Sequence, residues 1–162
     1  MFVELEYREL DDYKYQVKKA VLIQTLVKRA ACKTEFIELR EDGLLIVQPG
    51  YAWNGSNWSS DKHAILASLV HDVLYQLMRM YLLSRFLYRE PADASYRDIY
   101  IAEGLTSIAA GKKRGVAKAI AERWVRIRAG VRYKGLQWFG EGATYPEKDP
   151  RGTVKVLRVK YK

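Results

Sequence analysis

The sequence has 162 residues, of which 49% are hydrophobic and 29% are charged, and its formal net charge is +9 at pH 7. This size and composition are typical of one folded domain with a substantial core, and they exclude a disordered chain. The single cysteine, Cys32, excludes an intramolecular disulfide and a cysteine cluster for structural zinc, and no apolar run approaches the roughly 18 residues of a membrane span.

Residues 1–48 are predicted to form a small antiparallel sheet. Alternating or β-branched residues predict strands at 2–7, 13–17, 21–27, 36–39 and 44–47. The last two strands flank Glu41-Asp42-Gly43, and Asp-Gly between apolar runs favours a hairpin because glycine adopts a positive φ without steric cost. Pro49 is expected to end the sheet, since it has no backbone N–H to donate to a neighbouring strand.

A loop and two helices are predicted to follow the sheet. The loop covers residues 50–60, which are rich in Gly, Asn and Ser. A mostly buried helix is expected from about residue 61 to residue 83, because its apolar residues recur at helical spacing. Residues 85–91 are interpreted as a connector, with Pro91 in the first turn of a second helix that ends near residue 109.

The C-terminal part of the chain is strongly basic. A third, amphipathic helix is predicted over residues 113–131, and residues 132–140 are predicted to form a loop. Residues 111–162 hold fifteen Lys or Arg against four Asp or Glu. This charge predicts an anionic partner, which is nucleic acid, an anionic lipid surface or an acidic protein. A solvated basic helix without a partner is the alternative.

Together these elements predict an α+β fold, with a small antiparallel sheet followed by two or three packed helices. Residues 1–140 are expected to form a single domain, and residues 141–162 a basic C-terminal arm or strand. The N-terminal residues lack the basic-then-apolar order of a signal peptide, so we expect no standard secretory route. The lone cysteine fits a reducing compartment.

A candidate catalytic group lies in the stretch AILASLVHDVLY at residues 64–75. Each helical residue advances by about 100°, so His71 and Tyr75 share one face while Asp72 points away from it. An antiparallel second helix would present Asp93 to the same face. Its carboxylate would fix the tautomer of His71 and leave the other ring nitrogen free to act as a base on water.

Asp72 would then be available to bind a divalent cation. Calcium and magnesium prefer oxygen ligands, and a glycine-rich loop can turn backbone carbonyls inward, so Asn54 and Gly55 are candidate partners of Asp72. Other candidate binding residues lie in the same loop and in the basic stretch after the second helix: Ser56, Asn57, Trp58, Lys112, Lys113 and Arg114. The alternative is that His71 and Asp72 belong to a core hydrogen-bond network without catalysis.

Two other catalytic interpretations are disfavoured by missing residues. His63 with His71-Asp72 has the order found in HD-type metal phosphohydrolases, but those enzymes need a further upstream histidine and the chain has only two. Ser56 lies in a Gly-Ser turn but outside the Gly-x-Ser-x-Gly pattern of a nucleophile elbow, so we interpret it as the cap of a turn.

Four stretches resemble an uncharacterised family of bacteriophage and prophage genomes, catalogued as domain of unknown function 1353. They are Gly50-Tyr51, residues 54–57, residues 71–75 and residues 92–96, within about residues 13–135. The resemblance implies a phage-encoded accessory or virion-associated protein whose partners are other phage proteins. It also implies the host bacterial cytoplasm, with incorporation into the virion left open. Asn54 stands where that family usually has aspartate, and so keeps an oxygen but no charge.

The order His71-Asp72-x-x-Tyr75, followed by Asp93, is similar to that of phospholipases A2. This resemblance implies that His71 is the general base and Asp72 a calcium ligand. It further implies that Asp93 orients His71 and that Tyr75 is the second partner of Asp93. The many disulfides of the secreted members are missing here.

The first resemblance therefore implies a phage accessory or virion protein, and its His-Asp polar site is the one predicted above. The alternative is a divalent-metal-dependent hydrolase that cleaves esters in the manner of phospholipase A2, with His71 as the base. A phage factor that blocks a host defence protein is a third interpretation, which the sequence does not separate from the first.

Overall fold

The computed structural model describes residues 3–11, 14–55, 64–112 and 114–145. Its strands are β1 Tyr7–Glu9, β2 Tyr15–Val17, β3 Val21–Gln24, β4 Cys32–Lys33, β5 Ile37–Leu39, β6 Leu44–Val47 and β7 Ala52–Trp53. Its helices are α1 Ile65–Arg79, α2 Arg85–Ala110 and α3 Gly115–Phe139, followed by a short 3-10 helix, Gly140–Thr144. The predicted α+β fold is confirmed.

The described strands form two antiparallel sheets. One has three strands in the order β1-β2-β7, and the other has four in the order β3-β6-β5-β4. The hairpin predicted at residues 41–43 joins β5 to β6, and Gly43 adopts a φ of +88° there. A Cβ at this position would lie 2.7 Å from the Thr25 carbonyl oxygen, so both the backbone conformation and the space require glycine.

The main core lies between the sheets and α1. Buried side chains of β3, β5 and β6 form one cluster with the apolar face of α1, which includes Leu69, Leu74 and Leu77. Two side-chain hydrogen bonds fix the end of the sheet region on this helix. Tyr51 Oη donates to Gln76 Oε1 at 2.8 Å, and Trp53 Nε1 donates to Ser68 Oγ at 3.1 Å. These bonds place the beginning of the 50–60 loop beside α1.

Several strand predictions were wrong in position. The first described strand is β1 at Tyr7–Glu9 rather than 2–7, and β3 ends at Gln24 rather than at residue 27. The short strands β4 and β7 were not predicted. A two-residue strand such as β7 carries no alternation of its own, and it forms because Tyr15 and Gln16 of β2 pair with it.

The prediction that residues 85–91 form a connector was wrong, because α2 begins at Arg85 and Pro91 lies inside it. Proline removes one helical hydrogen bond, but tertiary contacts hold the turns before it. Tyr88 Oη donates to the Arg29 carbonyl oxygen at 3.1 Å, and Arg89 Nη2 donates to the Gln137 carbonyl oxygen at 3.4 Å. The helix before α2 also ends earlier than predicted, at Arg79.

The predicted loop at residues 132–140 was also wrong, since α3 continues to Phe139. Packing against α2 holds the helix through this stretch. Gly135 is buried, and on the facing helix a Cβ at Gly104 would lie 2.7 Å from Val125 Cγ1. Packing of α3 against α2 therefore extends the helix past its glycines. No helix in the described part of the chain has the length and hydropathy to cross a membrane.

Candidate functional site

Asp93 of α2 is the centre of a buried polar cluster. Its side chain is 0% exposed. Asp93 Oδ1 lies 3.2 Å from His71 Nε2 and accepts a hydrogen bond from Tyr75 Oη at 2.7 Å. Gln137 Nε2 of α3 donates to Asp93 Oδ2 at 2.7 Å. The cluster therefore joins α1, α2 and α3 through one carboxylate.

His71 and Tyr75 reach Asp93 together because they stand four residues apart on α1. Their rings are in contact, with centroids 3.9 Å apart and planes tilted by 35°. Burial and the adjacent Asp93 raise the pKa of Tyr75, so its hydroxyl stays protonated and donates to the carboxylate. A Cβ at Gly140 would lie 2.7 Å from that hydroxyl, so the 3-10 helix closes tightly over the pair.

The two ring nitrogens of His71 face different surroundings. A carboxylate only accepts hydrogen bonds, so the neutral ring carries its proton on Nε2 toward Asp93 and presents Nδ1 as an acceptor. Nδ1 lies 3.9 Å from Asp72 Oδ1, which is longer than a direct hydrogen bond. Burial disfavours the charged ring, but the carboxylates of Asp72 and Asp93 outweigh it and raise the pKa of His71.

The prediction that Asp72 points away from His71 needs correction. Successive residues diverge by about 100° around a helix, yet the Asp72 carboxylate turns back to lie near His71 Nδ1. Its side chain is 32% exposed, so solvent reaches it. Asp72 and His71 therefore border the same water-accessible space.

That space is a cleft of about 250 Å³. Its walls come from all three helices and from the turn after β7, and they include Gly55, Tyr96, Arg132 and Phe139. Arg132 Nη1 donates to Tyr96 Oη at 3.2 Å, and its guanidinium lies 4.7 Å from the Tyr100 ring centroid. The cleft thus combines an imidazole, a carboxylate and a fixed guanidinium with apolar walls.

The predicted cation ligands are only partly brought together. Asp72 and Gly55 line the same cleft, whereas Asn54 is exposed and is not among the lining residues. Ser56, Asn57 and Trp58 lie outside the described residues. Within the described ranges no group of three or more His, Cys, Asp or Glu side chains is arranged to hold a metal ion. Calcium requires about six to eight oxygen ligands, so the described residues do not by themselves fit the ion.

The predicted basic binding residues do not join the cleft. Lys112 and Arg114 are exposed between α2 and α3, and Arg114 Nη1 donates to the Gly111 carbonyl oxygen at 3.3 Å. Neither residue lines the cleft beside His71. Lys113 falls outside the described residues.

Sequence reasoning missed Gln137 and Arg132 because it placed a loop where α3 continues. It also missed Glu103 of α2, which binds the first turn of α1. Glu103 Oε1 and Oε2 accept hydrogen bonds from the backbone N–H groups of Leu66 and Ala67, each at 2.9 Å. Burial outweighs these two bonds and raises the pKa of Glu103 to about 7. No local signal marks this contact, since it joins residues far apart in the chain.

Comparison of the chain with protein-family models, with curated proteins and with solved structures finds no match. The two resemblances described above therefore stay predictions, and the function is inferred from the residues of the cleft.

Proposed function

We propose that this protein is a hydrolase in which His71 acts as a general base on water and Asp93 orients the imidazole. The observation that carries the proposal is the division of the His71 ring. Nε2 lies against a carboxylate that also accepts from Tyr75, while Nδ1 lies beside Asp72, and His71 and Asp72 both line a solvent-accessible cleft. A base needs this arrangement, because one nitrogen must be held while the other takes a proton.

The reaction that fits the cleft best is hydrolysis of a carboxylic ester. Nδ1 of neutral His71 removes a proton from water, and the water oxygen bonds to the ester carbonyl carbon. The resulting tetrahedral anion expels the alcohol oxygen, which takes the proton back from the imidazolium. Arg132 lines the cleft and supplies positive charge for the anionic intermediate. The apolar walls accommodate an acyl chain, so the substrate class is a lipid ester.

The test is turnover of mixed anionic phospholipid vesicles, measured by mass spectrometry of released fatty acid, with calcium and with chelator. Wild type should release fatty acid, and His71→Asn should lose at least about a hundredfold in rate while remaining folded by circular dichroism. A matched control is Asp98→Asn, at an exposed position of α2 that does not line the cleft, which should retain the wild-type rate. Equal rates for wild type and His71→Asn, or no release under any condition, would overturn the proposal. A rate that depends on calcium would support Asp72 as a ligand.

A second candidate function is that of a phage accessory or virion protein in which the same cluster only stabilises the fold. It is favoured by the burial of Asp93, whose two oxygens already face His71, Tyr75 and Gln137. Fully paired buried networks are typical of structural cores. Its partners would be other phage proteins or DNA, bound through the basic arm at 141–162.

This candidate gives the opposite pattern of results. His71→Ala should then lower the free energy of unfolding with no turnover to lose. Deletion of residues 146–162, which keeps the 3-10 helix Gly140–Thr144, should weaken association with the partner while the rest of the chain stays folded. Unchanged association after the deletion would contradict a docking role for the arm.

A further inference from the structure

A row of large apolar side chains is exposed along α3. The row, which we call the α3 stripe, consists of Val116, Ile120, Trp124, Ile127, Val131 and Trp138, and each is at least 44% exposed. At about 100° per residue these side chains fall within an arc of roughly 80°. The stripe extends for about 33 Å at 1.5 Å per residue. It is therefore a continuous surface and not a scatter of single exposed residues.

The stripe lies mostly outside the face by which α3 joins the rest of the described chain, and only Ile120 and Trp124 border a cavity beside α2. The opposite face carries that contact, since Ala129, Val125 and Leu136 belong to the cluster that also holds Tyr96 and Tyr100 of α2. Gly104 of α2 approaches Val125 so closely that no Cβ fits between them. The apolar spacing that predicted an amphipathic helix thus describes an outward face.

Cations border the stripe on both sides. Arg123 and Lys134 lie along one edge, Arg128 lies along the other, and Arg126 lies further round the helix. All four are exposed, and none forms an ion pair with another described residue. The acidic residue of α3, Glu122, is already within 3.8 Å of Lys118 Nζ. The stripe therefore presents apolar and positive surface together.

We propose that the α3 stripe binds the surface of an anionic phospholipid bilayer. Tryptophan and branched aliphatic side chains enter the boundary between headgroups and acyl chains, and flanking arginine and lysine contact the anionic headgroups. Both requirements are met by this one face. The proposal concerns where the protein binds and does not depend on the chemistry assigned to His71.

Other occupants fit the stripe less well. A second copy packed on the same face would bring the flanking cations of the two helices together, which is unfavourable. The basic residues 151–162 carry the same sign of charge as the edges of the stripe. Nucleic acid would use the cations but would leave the valine and isoleucine side chains in water, with no base or phosphate chemistry to match them.

The orientation that follows connects the stripe to the cleft. Trp138 ends the stripe, and the next residue, Phe139, is 74% exposed and lines the cleft. A bilayer that covers Trp138 would therefore lie at the rim of the cleft. If the hydrolase proposal holds as well, a lipid ester would enter from that edge.

The experiment is co-flotation of the full chain with vesicles of phosphatidylglycerol and phosphatidylcholine, compared with vesicles of phosphatidylcholine alone. Wild type should bind the anionic vesicles at least about tenfold more tightly than the neutral ones. Ile127→Glu and the double variant Arg123→Glu/Arg128→Glu should each weaken binding by at least about tenfold. Matched controls are Leu22→Glu and Lys28→Glu, which alter an exposed apolar side chain and an exposed cation on the sheet side.

Residues 146–162 are also basic and could bind anionic vesicles by themselves. The proposal is therefore tested by the stripe variants and not by vesicle binding of the wild type alone. Equal binding by wild type and Ile127→Glu would overturn the proposal, and so would failure of wild type to bind anionic vesicles. Self-association of wild type that Ile127→Glu abolishes, without vesicle binding, would overturn it in favour of a second copy. A blue shift of tryptophan emission on vesicle addition that is lost in Ile127→Glu would support it.

Discussion

Gly140 lies so close to Tyr75 that a Cβ on residue 140 would stand 2.7 Å from the tyrosine hydroxyl oxygen. That hydroxyl is the donor to Asp93 Oδ1 at 2.7 Å. The backbone of the 3-10 helix thus limits how far the Tyr75 ring can move. Any side chain at position 140 competes with the hydrogen bond that Asp93 accepts.

Gly140→Ala should therefore destabilise the protein by about 1–3 kcal/mol, because the added methyl displaces Tyr75 or the 3-10 helix. The measurement is chemical denaturation of wild type and variant. Gly142→Ala is the matched control, since a Cβ there would meet no atom within 4 Å. Equal destabilisation by the two substitutions would contradict the close approach of Gly140 to Tyr75.

Asp93→Asn should lower both stability and any turnover. The asparagine amide would point an N–H group at one of the groups that now donate hydrogen bonds to Asp93. Two donors would then face each other in a buried site, which lowers the free energy of unfolding by about 1–3 kcal/mol. The imidazole would also lose the carboxylate that orients it. Denaturation and the fatty-acid assay measure the two effects. Asp98→Asn is the control, because Asp98 is an exposed residue of the same helix; similar losses in both variants would refute the central role of Asp93.

Glu103 should make stability fall as pH rises toward neutrality. Folding raises its pKa from the ordinary 4.5 to about 7, so between these values the folded state holds a proton that the unfolded state has released. The free energy of unfolding therefore decreases with pH across this window, by at most about 3 kcal/mol from this group. Below pH 4.5 and above pH 7 its contribution is constant.

Glu103→Gln should remove that dependence, since glutamine does not titrate. The measurement is the difference in free energy of unfolding between wild type and variant from pH 4 to pH 8. Wild type should lose stability relative to Glu103→Gln as pH rises. The control variant Glu122→Gln keeps Glu103, so its free energy of unfolding should fall with pH as that of wild type does. A difference that stays flat across the range, or changes in the opposite direction, would rule out the raised pKa.

Two glycine substitutions in the packed helices should have opposite signs. Gly104→Ala places a methyl 2.7 Å from Val125 Cγ1 and should destabilise by about 1–3 kcal/mol as α2 and α3 separate. Gly130→Ala meets no atom within 4 Å and should stabilise α3 by about 0.5–1 kcal/mol through lower backbone entropy in the unfolded chain. Thermal unfolding distinguishes them, and a stabilising Gly104→Ala would contradict the close helix contact.

The approach of His71 and Tyr75 to Asp93 follows from local sequence, because a spacing of four on one helix and an antiparallel neighbour are enough to predict it. Gln137 was not predictable in the same way. It reaches Asp93 only because α3 continues past Gly130 and Gly135, and that continuation depends on packing against α2. Strand β6 was predictable because it is an apolar run directly after Asp42-Gly43, whereas β7 exists only through its pairing with β2.

The low burial of α3 affects how readily this helix separates from the rest of the described chain. Only Ala129 and Gly135 of this 25-residue helix are buried, whereas α1 buries most of its apolar residues. Separation of α3 therefore exposes less apolar surface than separation of α1 from the core, and the amide hydrogens of α3 should exchange with solvent sooner than those of α1. Departure of α3 would break the bond from Gln137 and open one oxygen of Asp93 to water. The helix that carries the α3 stripe therefore also shields Asp93 from solvent. A partner bound to the stripe would change how often α3 separates from α2, and so how often water reaches the Asp93 carboxylate.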